Sequence, residues 1–255
     1  MRKDFEIKLG KIKEILLVDS TISVNELAKS LSITPESVRK YLTYLEDSGF
    51  LYRTHGGAVL RDTSNDKPME FRSQEKQEIK NEICREAIKY IKNNDLIFVD
   101  PSSTAVPLAK LMRLRQDVTI VTNSIIFIES VEVGKNSVIL LGGNYSSEGK
   151  RCYSQYNVDL INKMNFDIAF MGTDGFKDLD GPGTRDKEAV FLNETILKRS
   201  KTKILLTDSS KFELKTHYQY AKFEDFQYLI SNSVPKLYSE NVSKHGTTVI
   251  DIDVI

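Results

Sequence analysis

Residues 21–60 read TISVNELAKSLSITPESVRKYLTYLEDSGFLYRTHGGAVL, and this stretch decides the fold of the first part of the chain. Ser23 and Glu26 have the spacing of a capping box, which predicts a helix that starts directly after the serine. Thr34 before Pro35 marks a second helix start, because the hydroxyl can accept from free amides and proline lacks an N–H that would have no partner there. Two short helices joined by a tight turn are typical of a helix-turn-helix.

Both predicted helices have an apolar face and a polar face. The apolar residues recur at helical spacing and are Val24, Leu27, Ala28 and Leu31 in the first helix and Val38, Leu42 and Leu45 in the second. We expect the other residues of the second helix to lie on other surfaces: Glu36, Ser37, Arg39, Lys40, Tyr41 and Thr43. A further helix over residues 5–18 would complete a three-helix core.

A β-hairpin is predicted after the second helix. Gly49 is placed to end that helix, and residues 50–60 alternate around His55-Gly56-Gly57, a turn whose glycines can supply positive φ angles. A hairpin in this position is the wing of a winged helix-turn-helix, whose second helix enters the major groove of DNA. The simpler alternative is a small three-helix unit that does not touch DNA.

The predicted wing carries a family pattern. Seven of its residues resemble the Gly-x-Leu-x-Arg-x-His-Gly-Gly-Ala signature of the DeoR-type bacterial transcriptional regulators: Gly49, Leu51, Arg53, His55, Gly56, Gly57 and Ala58. The resemblance extends over essentially the whole chain, and it implies a regulator, in particular a repressor, that binds a double-stranded DNA operator. The candidate DNA-binding residues are Thr34, Ser37, Arg39, Lys40, Arg53 and His55.

Charge and composition limit the classes of function. The chain has 255 residues with 36 basic and 36 acidic side chains, so its net charge gives no general attraction to nucleic acid. Residues 1–61 hold ten Lys and Arg against eight Asp and Glu, and DNA binding therefore depends on where these charges lie. Two distant cysteines, Cys84 and Cys152, argue against a disulfide scaffold or a zinc site. The charged N-terminus and short apolar runs predict a cytoplasmic protein with no membrane segment, and we expect no cofactor and no metal.

The remainder of the chain alternates between short apolar runs and helix-like segments. The runs are residues 96–99, 118–121, 138–141, 168–171, 204–206, 228–230 and 249–254. This alternation predicts βαβ units and a mostly parallel sheet, preceded by a helix over residues 70–93. The predicted organisation is an α+β winged helix-turn-helix domain (1–61), a linker (62–69) and an α/β domain (70–255) that binds an effector and holds an oligomer together.

The polar residues that follow these runs are candidates for ligand binding, because ligands bind beyond the carboxyl ends of parallel strands. The loops at 100–104, 122–124, 142–143, 170–175 and 208–212 resemble the effector domain of DeoR-type regulators, which is similar in fold to ribose-5-phosphate isomerase. The resemblance implies a pocket for a phosphorylated sugar. The candidate effector-binding residues are Asp100, Ser102, Ser103, Thr104, Asn123, Ser124, Gly142, Gly143, Asp174, Gly175 and Lys211. In any single loop, such residues are more often ordinary turn residues.

Three positions depart from the family pattern. Ser102 and Ser154 stand where glycines are usual, and Leu192 stands where a lysine is common. The sequence has no GxSxG, GxxxxGK[ST] or HExxH motif, so we predict that the protein is not an enzyme. The alternatives are a sugar-phosphate isomerase that uses Asp174 and Lys211 as acid and base, or a metabolite-binding module. Since one winged helix reads few base pairs, we also expect a homo-oligomer.

Overall fold

The computed structural model describes residues 2–19, 21–54, 56–60 and 69–252. The chain divides into two compact units, Met1–Lys67 and Pro68–Ile255. The linker predicted over residues 62–69 lies outside the described residues, apart from Met69, which is the first residue of a helix.

The first unit combines helices with a small antiparallel sheet. Its elements are α1 (Arg2–Asp19), β1 (Thr21–Ser23), α2 (Val24–Leu31), α3 (Pro35–Asp47), β2 (Leu51–Arg53) and β3 (Gly57–Leu60). The strands lie in the order β1-β3-β2, so the predicted hairpin gains a third strand. The sequence did not reveal β1, because three residues are too few to show an alternating pattern.

The helix starts predicted from the caps are confirmed. Ser23 Oγ accepts from the Glu26 amide at 3.1 Å, and the Glu26 carboxylate accepts from the Ser23 amide at 2.9 Å. Thr34 Oγ1 accepts from the Ser37 amide at 3.2 Å, with proline as the first residue of α3. Gly49, with φ of 74°, follows the end of α3. Local hydrogen bonds therefore fix where each of the two helices begins.

The expectation that Tyr41 faces outward is wrong. Its side chain is buried with Val38, Leu42 and Leu45, and its ring stacks on Phe5 of α1 with ring centroids 4.7 Å apart. An apolar stripe on α3 is wide enough to include position 41, and a tyrosine ring can bury its face while its hydroxyl reaches the edge. The three-helix core therefore has an aromatic contact that the sequence pattern assigned to the surface.

Gly57 has a different role from the predicted one. It lies in β3 opposite Ser23, and its φ is not positive. A Cβ atom at this position would lie 2.1 Å from the carbonyl oxygen of Ile22. Glycine is required here because two strands approach closely, not because the chain turns.

The second unit is an α/β domain. Its first half contains α4 (Met69–Gln74), α5 (Gln77–Ala87), β4 (Leu96–Val99), α6 (Leu108–Leu111), β5 (Thr119–Thr122), α7 (Ile125–Ser130), β6 (Ser137–Leu140), β7 (Asn144–Ser146), β8 (Arg151–Tyr153) and α8 (Gln155–Ile161). Its second half contains β9 (Phe166–Met171), β10 (Gly183–Thr184), α9 (Lys187–Lys198), β11 (Ser200–Leu206), β12 (Tyr218–Gln219), β13 (Tyr228–Ser231), α10 (Lys236–Lys244) and β14 (Thr248–Asp251).

All seven strands predicted from apolar runs lie in one sheet, in the order β14-β13-β11-β9-β4-β5-β6. Every neighbouring pair is parallel, which confirms the predicted fold class. Alternate strand residues pack on opposite faces: Ile168 and Phe170 lie with α5, α6 and α7, whereas Ala169 and Met171 lie with α8, α9 and α10. The sheet is therefore covered by helices on both sides, as parallel sheets require.

Two features of this unit differ from the sequence-based expectation. The helix predicted over residues 70–93 is broken, because Glu75 and Lys76 separate α4 from α5 and Lys76 has φ of 52°. Two small antiparallel pairs, β7–β8 and β10–β12, lie outside the main sheet. No helix among the described residues has the length and apolar character needed to span a membrane.

Candidate functional site

The first unit presents an exposed polar face on α3. Arg39 and Lys40 are exposed, and Lys40 pairs with Glu36 across one helical turn at 3.4 Å. The hydroxyls of Thr34 and Ser37 lie 3.0 Å apart at the start of the helix, where both serve the cap. These four predicted DNA-binding residues lie along one short helix, with their polar groups near its first two turns.

Arg53 holds the wing against α3. Its amide donates to Glu46 at 3.0 Å and its guanidinium donates to Thr43 Oγ1 at 3.0 Å, while its buried Nε has no partner among the described residues. The charge therefore sits between the wing and the helix, fixed in position. His55, the remaining predicted DNA-binding residue, lies outside the described residues.

In the second unit, the order of the strands defines where a ligand can bind. The chain runs outward from β4 through β5 to β6, and then returns to place β9 on the other side of β4. A crevice forms beyond the carboxyl ends of two such strands, where the connections leave in opposite directions. A cleft lies at this point, between Asp100 and Ser102 after β4 and Gly172 to Asp174 after β9.

A buried carboxylate, Asp100, and a half-buried one, Asp174, face this cleft. Asp100 accepts from the Gly172 amide at 3.2 Å, and burial raises the pKa of Asp100 to about 7. Asp174 accepts from Arg72, from Thr184 Oγ1 and from the Arg185 amide at 3.1–3.2 Å. Burial raises the pKa of Asp174, but the positive charges around it outweigh burial and leave the pKa below its usual value.

Two arginines that the sequence analysis missed line the same cleft. Arg72 of α4 donates to Asp174 at 3.1 Å, and Arg151 of β8 donates to Asp186 at 3.1 Å. Within the described ranges of the chain, the buried Nε atoms of both arginines have no hydrogen-bond partner, and the same is true of Ser102 Oγ. Such orphaned polar atoms at one cleft are positions where a bound ligand could accept or donate.

A cluster of lysines lies beside the cleft. Lys80 of α5 is 3% exposed and donates to Ser103 Oγ at 3.2 Å and to the carbonyl of Arg72. Burial lowers the pKa of Lys80 to about 8, and burial also lowers the pKa of Lys211. Lys76 pairs with Asp208 at 3.0 Å. Asp208 attracts all three lysines, Asp174 also attracts Lys211 and Glu75 also attracts Lys80, so the lysines lie in a cluster of mixed charge in which burial still lowers the pKa of Lys80 and Lys211.

Comparisons with known proteins place the chain in a family. A family model described as the DeoR-like helix-turn-helix domain matches residues 9–64, and one described as the DeoR C-terminal sensor domain matches residues 75–233. The lactose phosphotransferase system repressor of Lactococcus lactis is 32% identical over 81% of this chain and 82% of its own. The chain belongs to the DeoR family. It is therefore a helix-turn-helix transcriptional regulator with a sensor domain.

Other similarities are more distant. The glycerol-3-phosphate regulon repressor of Escherichia coli is 28% identical over 79% of this chain and 80% of its own. A solved ribose-5-phosphate isomerase in complex with phospho-erythronic acid aligns with 53% of this chain and 54% of that chain, at 21% identity and a TM-score of 0.38.

Several predicted effector residues of this DeoR-family chain lie outside the cleft. Asn123 donates to the Cys152 carbonyl at 3.0 Å, and Ser124 caps α7. The Gly142 carbonyl accepts from Asn157 at 2.8 Å, and Gly143 has φ of 133° against Tyr153. These residues hold neighbouring loops in place. They follow β5 and β6, which lie beyond β4 on the side of the sheet away from β9.

Two further residues that were predicted to bind the effector make structural contacts instead. A Cβ atom at Gly175 would lie 2.1 Å from the Leu214 carbonyl oxygen, and the Thr104 carbonyl accepts from the Cys84 thiol at 3.0 Å. Asp100, Ser102 and Asp174 line the cleft, whereas Ser103 and Lys211 belong to the lysine cluster beside it.

The departures from the family pattern have local explanations. A Cβ atom at Gly172 would lie 2.2 Å from the Cβ of Ser102, so the serine side chain fits only because its neighbour is glycine. Ser154 caps α8 by accepting from the Tyr156 amide at 3.2 Å. Leu192 is 3% exposed and packs in the hydrophobic cluster on its face of the sheet. In this chain, position 192 therefore supports the core.

Proposed function

We propose that this regulator represses a carbohydrate operon and that a phosphorylated sugar, bound in the cleft and its lysine cluster, controls repression. The observation that carries the proposal is Lys80, a buried lysine that donates to the loop after β4. Two relatives support the class of effector, since one is named for a lactose phosphotransferase system and another for a glycerol-3-phosphate regulon.

The lysine cluster suits a phosphate. A buried ammonium costs free energy unless a counter-ion compensates it. Among the described residues Lys80 donates to a hydroxyl and a carbonyl, and the attraction of Asp208 and Glu75 does not outweigh the effect of burial on its pKa. Lys211 adds a second, half-buried charge whose pKa is lowered by desolvation. A phosphate beside Ser103 would compensate both charges and restore the pKa of each lysine toward its usual value. Phosphate binding would thus recover the cost of burying these charges.

The cleft suits the hydroxyl groups of a sugar. Asp100 and Asp174 are acceptors, and Ser102, Asn193 and Arg151 add polar groups to the same lining. The free space measures about 20 Å³, close to that of a single water molecule. A sugar therefore enters only if side chains that now fill the cleft move aside.

The isomerase alternative that uses Asp174 as the base is less well supported. A general base should have an accessible lone pair and a pKa near the working pH. Asp174 already accepts from three donors and has a lowered pKa. These contacts are those of a carboxylate engaged in binding rather than in proton abstraction.

For DNA binding, we assign base contacts to α3 and positioning to the wing. Arg39 is exposed with no described side-chain partner, whereas Arg53 is fixed between wing and helix. The first can adapt to base edges in the major groove, and the second places a charge near the phosphate backbone. Since a single head gives little discrimination, the regulator would act as a homo-oligomer.

The test is enrichment of genomic fragments by the full-length protein. Sheared genomic DNA from the source organism is incubated with the protein at physiological salt, and bound fragments are sequenced with and without a panel of sugar phosphates. We expect a few promoters near carbohydrate genes, with occupancy changed by one compound. Lys211→Met should keep the same promoters and lose the response. Uniform recovery of fragments under every condition would refute the proposal.

A further inference from the structure

We infer that Arg72 is an effector-binding residue that exchanges Asp174 for the oxyanion of the effector, and that this exchange moves α4. The inference rests on the proposed function, because it requires an anionic effector in the cleft. It adds a ligand contact that comes from the first helix of the sensor unit.

The position of α4 makes it a suitable carrier of a signal. The helix begins at Met69, directly after residues 61–68, which join the sensor unit to the winged-helix unit. The described part of the sensor unit therefore begins with α4, next in sequence to the segment that leads to the DNA-binding unit.

The attachment of α4 is mainly polar. Arg72 pairs with Asp174 at 3.1 Å, Glu70 pairs with Lys150 at 2.9 Å, and the Met69 amide donates to the Glu148 carbonyl at 3.1 Å. The Met69 side chain is buried and Phe71 is half-buried, while the remaining residues of α4 are polar. A helix of six residues that is held largely by polar contacts opens at lower free energy than the core around it.

The guanidinium of Arg72 has unused binding capacity. One terminal nitrogen donates to a single oxygen of Asp174, while the buried Nε has no hydrogen-bond partner in the part of the chain that the structure describes. A phosphate or carboxylate can accept from two adjacent guanidinium nitrogens at once, which is a stronger arrangement than a single contact. The lysine cluster lies beside it, because Lys80 donates to the carbonyl of Arg72 itself.

Asp174 can release Arg72 without being left unpaired. Its other oxygen accepts from Thr184 Oγ1 at 3.2 Å and from the Arg185 amide at 3.1 Å. The exchange therefore costs one contact at the carboxylate and gains a two-point contact at the ligand. Since the free space in the cleft is about 20 Å³, lining side chains have to move for any ligand larger than water, and Arg72 is one of these side chains.

The experiment is hydrogen–deuterium exchange of the full-length protein, read at α4 and at residues 102–104, with and without millimolar inorganic phosphate. Without phosphate, Arg72→Met and Asp174→Asn should each speed exchange in α4 about tenfold or more, because both remove a partly buried charge-assisted hydrogen bond. Lys198→Met, which breaks the exposed pair with Glu194 at 3.8 Å, is the control and should leave α4 unchanged.

Phosphate then separates this inference from the proposed function. In the unmodified protein we expect phosphate to protect residues 102–104 and to change exchange in α4, with the α4 response lost in Arg72→Met. Protection of the loop with no response of α4 would overturn the inference alone. An equal α4 response in Arg72→Met would also overturn it. If neither region responds to phosphate, the proposed function and the inference both fail.

Discussion

Lys80 gives the sharpest test of whether the lysine cluster is a binding site or a structural device. Burial lowers the pKa of Lys80 from 10.5 to about 8, and one pKa unit corresponds to about 1.36 kcal/mol. Below pH 8, keeping this side chain protonated therefore costs the folded state about 3 kcal/mol. Lys80→Met removes that cost and leaves the Ser103 hydroxyl and the Arg72 carbonyl without their donor, which costs about 1–2 kcal/mol. The variant should be more stable at pH 7 by about 1–2 kcal/mol.

The pH dependence has a definite sign. Between pH 8 and 10.5 the unfolded chain holds a proton on Lys80 that the folded chain has released, so the stability of the unmodified protein rises with pH across that window. The advantage of Lys80→Met is therefore largest below pH 8 and disappears toward pH 10.5. If Lys80 served only to stabilise the fold, Lys80→Met would not be more stable than the unmodified protein at neutral pH.

The assay is urea unfolding of the full-length protein at pH 7 and near pH 10, followed by circular dichroism, with and without inorganic phosphate. Phosphate should stabilise the unmodified protein by mass action and have little effect on Lys80→Met. Lys89→Met, which breaks the pair between the exposed Lys89 and the half-buried Glu86, is the control and should change stability by less than about 0.5 kcal/mol. A less stable Lys80→Met protein that still responds to phosphate would refute the reasoning.

Three further outcomes follow from the structure. Gly57→Ala should destabilise the winged-helix unit by about 1–3 kcal/mol, because its Cβ would overlap backbone, whereas Gly56→Ala, with open space around it, should be nearly neutral in urea melts. The unmodified protein should lose stability as the pH rises from 3.8 toward 7, because the folded state holds a proton on Asp100 that the unfolded chain releases. Asp100→Asn should abolish this pH dependence in thermal melts at pH 4 and pH 8. Arg39→Ala should reduce the preference for operator over random DNA by about 1–3 kcal/mol in filter binding, while Lys198→Ala should not.

The parts of the fold that sequence could predict are those with local causes. The caps at Ser23 and Thr34 act within four residues, and each buried strand is a short apolar run between polar loops. Tyr41 was misplaced because its side chain fits either a core edge or a surface. Strands of two or three residues, such as β1 and β7, are too short to display a period.

The site was harder to predict because its members come from distant segments. The order of strands is not encoded in any one of them, so the loops after β5 and β6 were expected at a cleft that forms between β4 and β9. Lys80 did leave a signal, since it shares the apolar helical face of Cys84 and Ala87, where a lysine is out of place. Arg72 and Arg151 left none, because surface-like arginines look alike in sequence.

The pairing of β4 with β9 also orders events during synthesis. Ile97 pairs with Ile168, so the centre of the sheet cannot form until some seventy further residues have left the ribosome. All elements of the winged-helix unit, by contrast, have been synthesised once β3 has left the ribosome. At about 5–20 residues per second, the rest of the chain follows on the order of 10–40 s later. During that interval the nascent chain carries a folded winged-helix unit before the sensor unit, which would bind the effector, has formed.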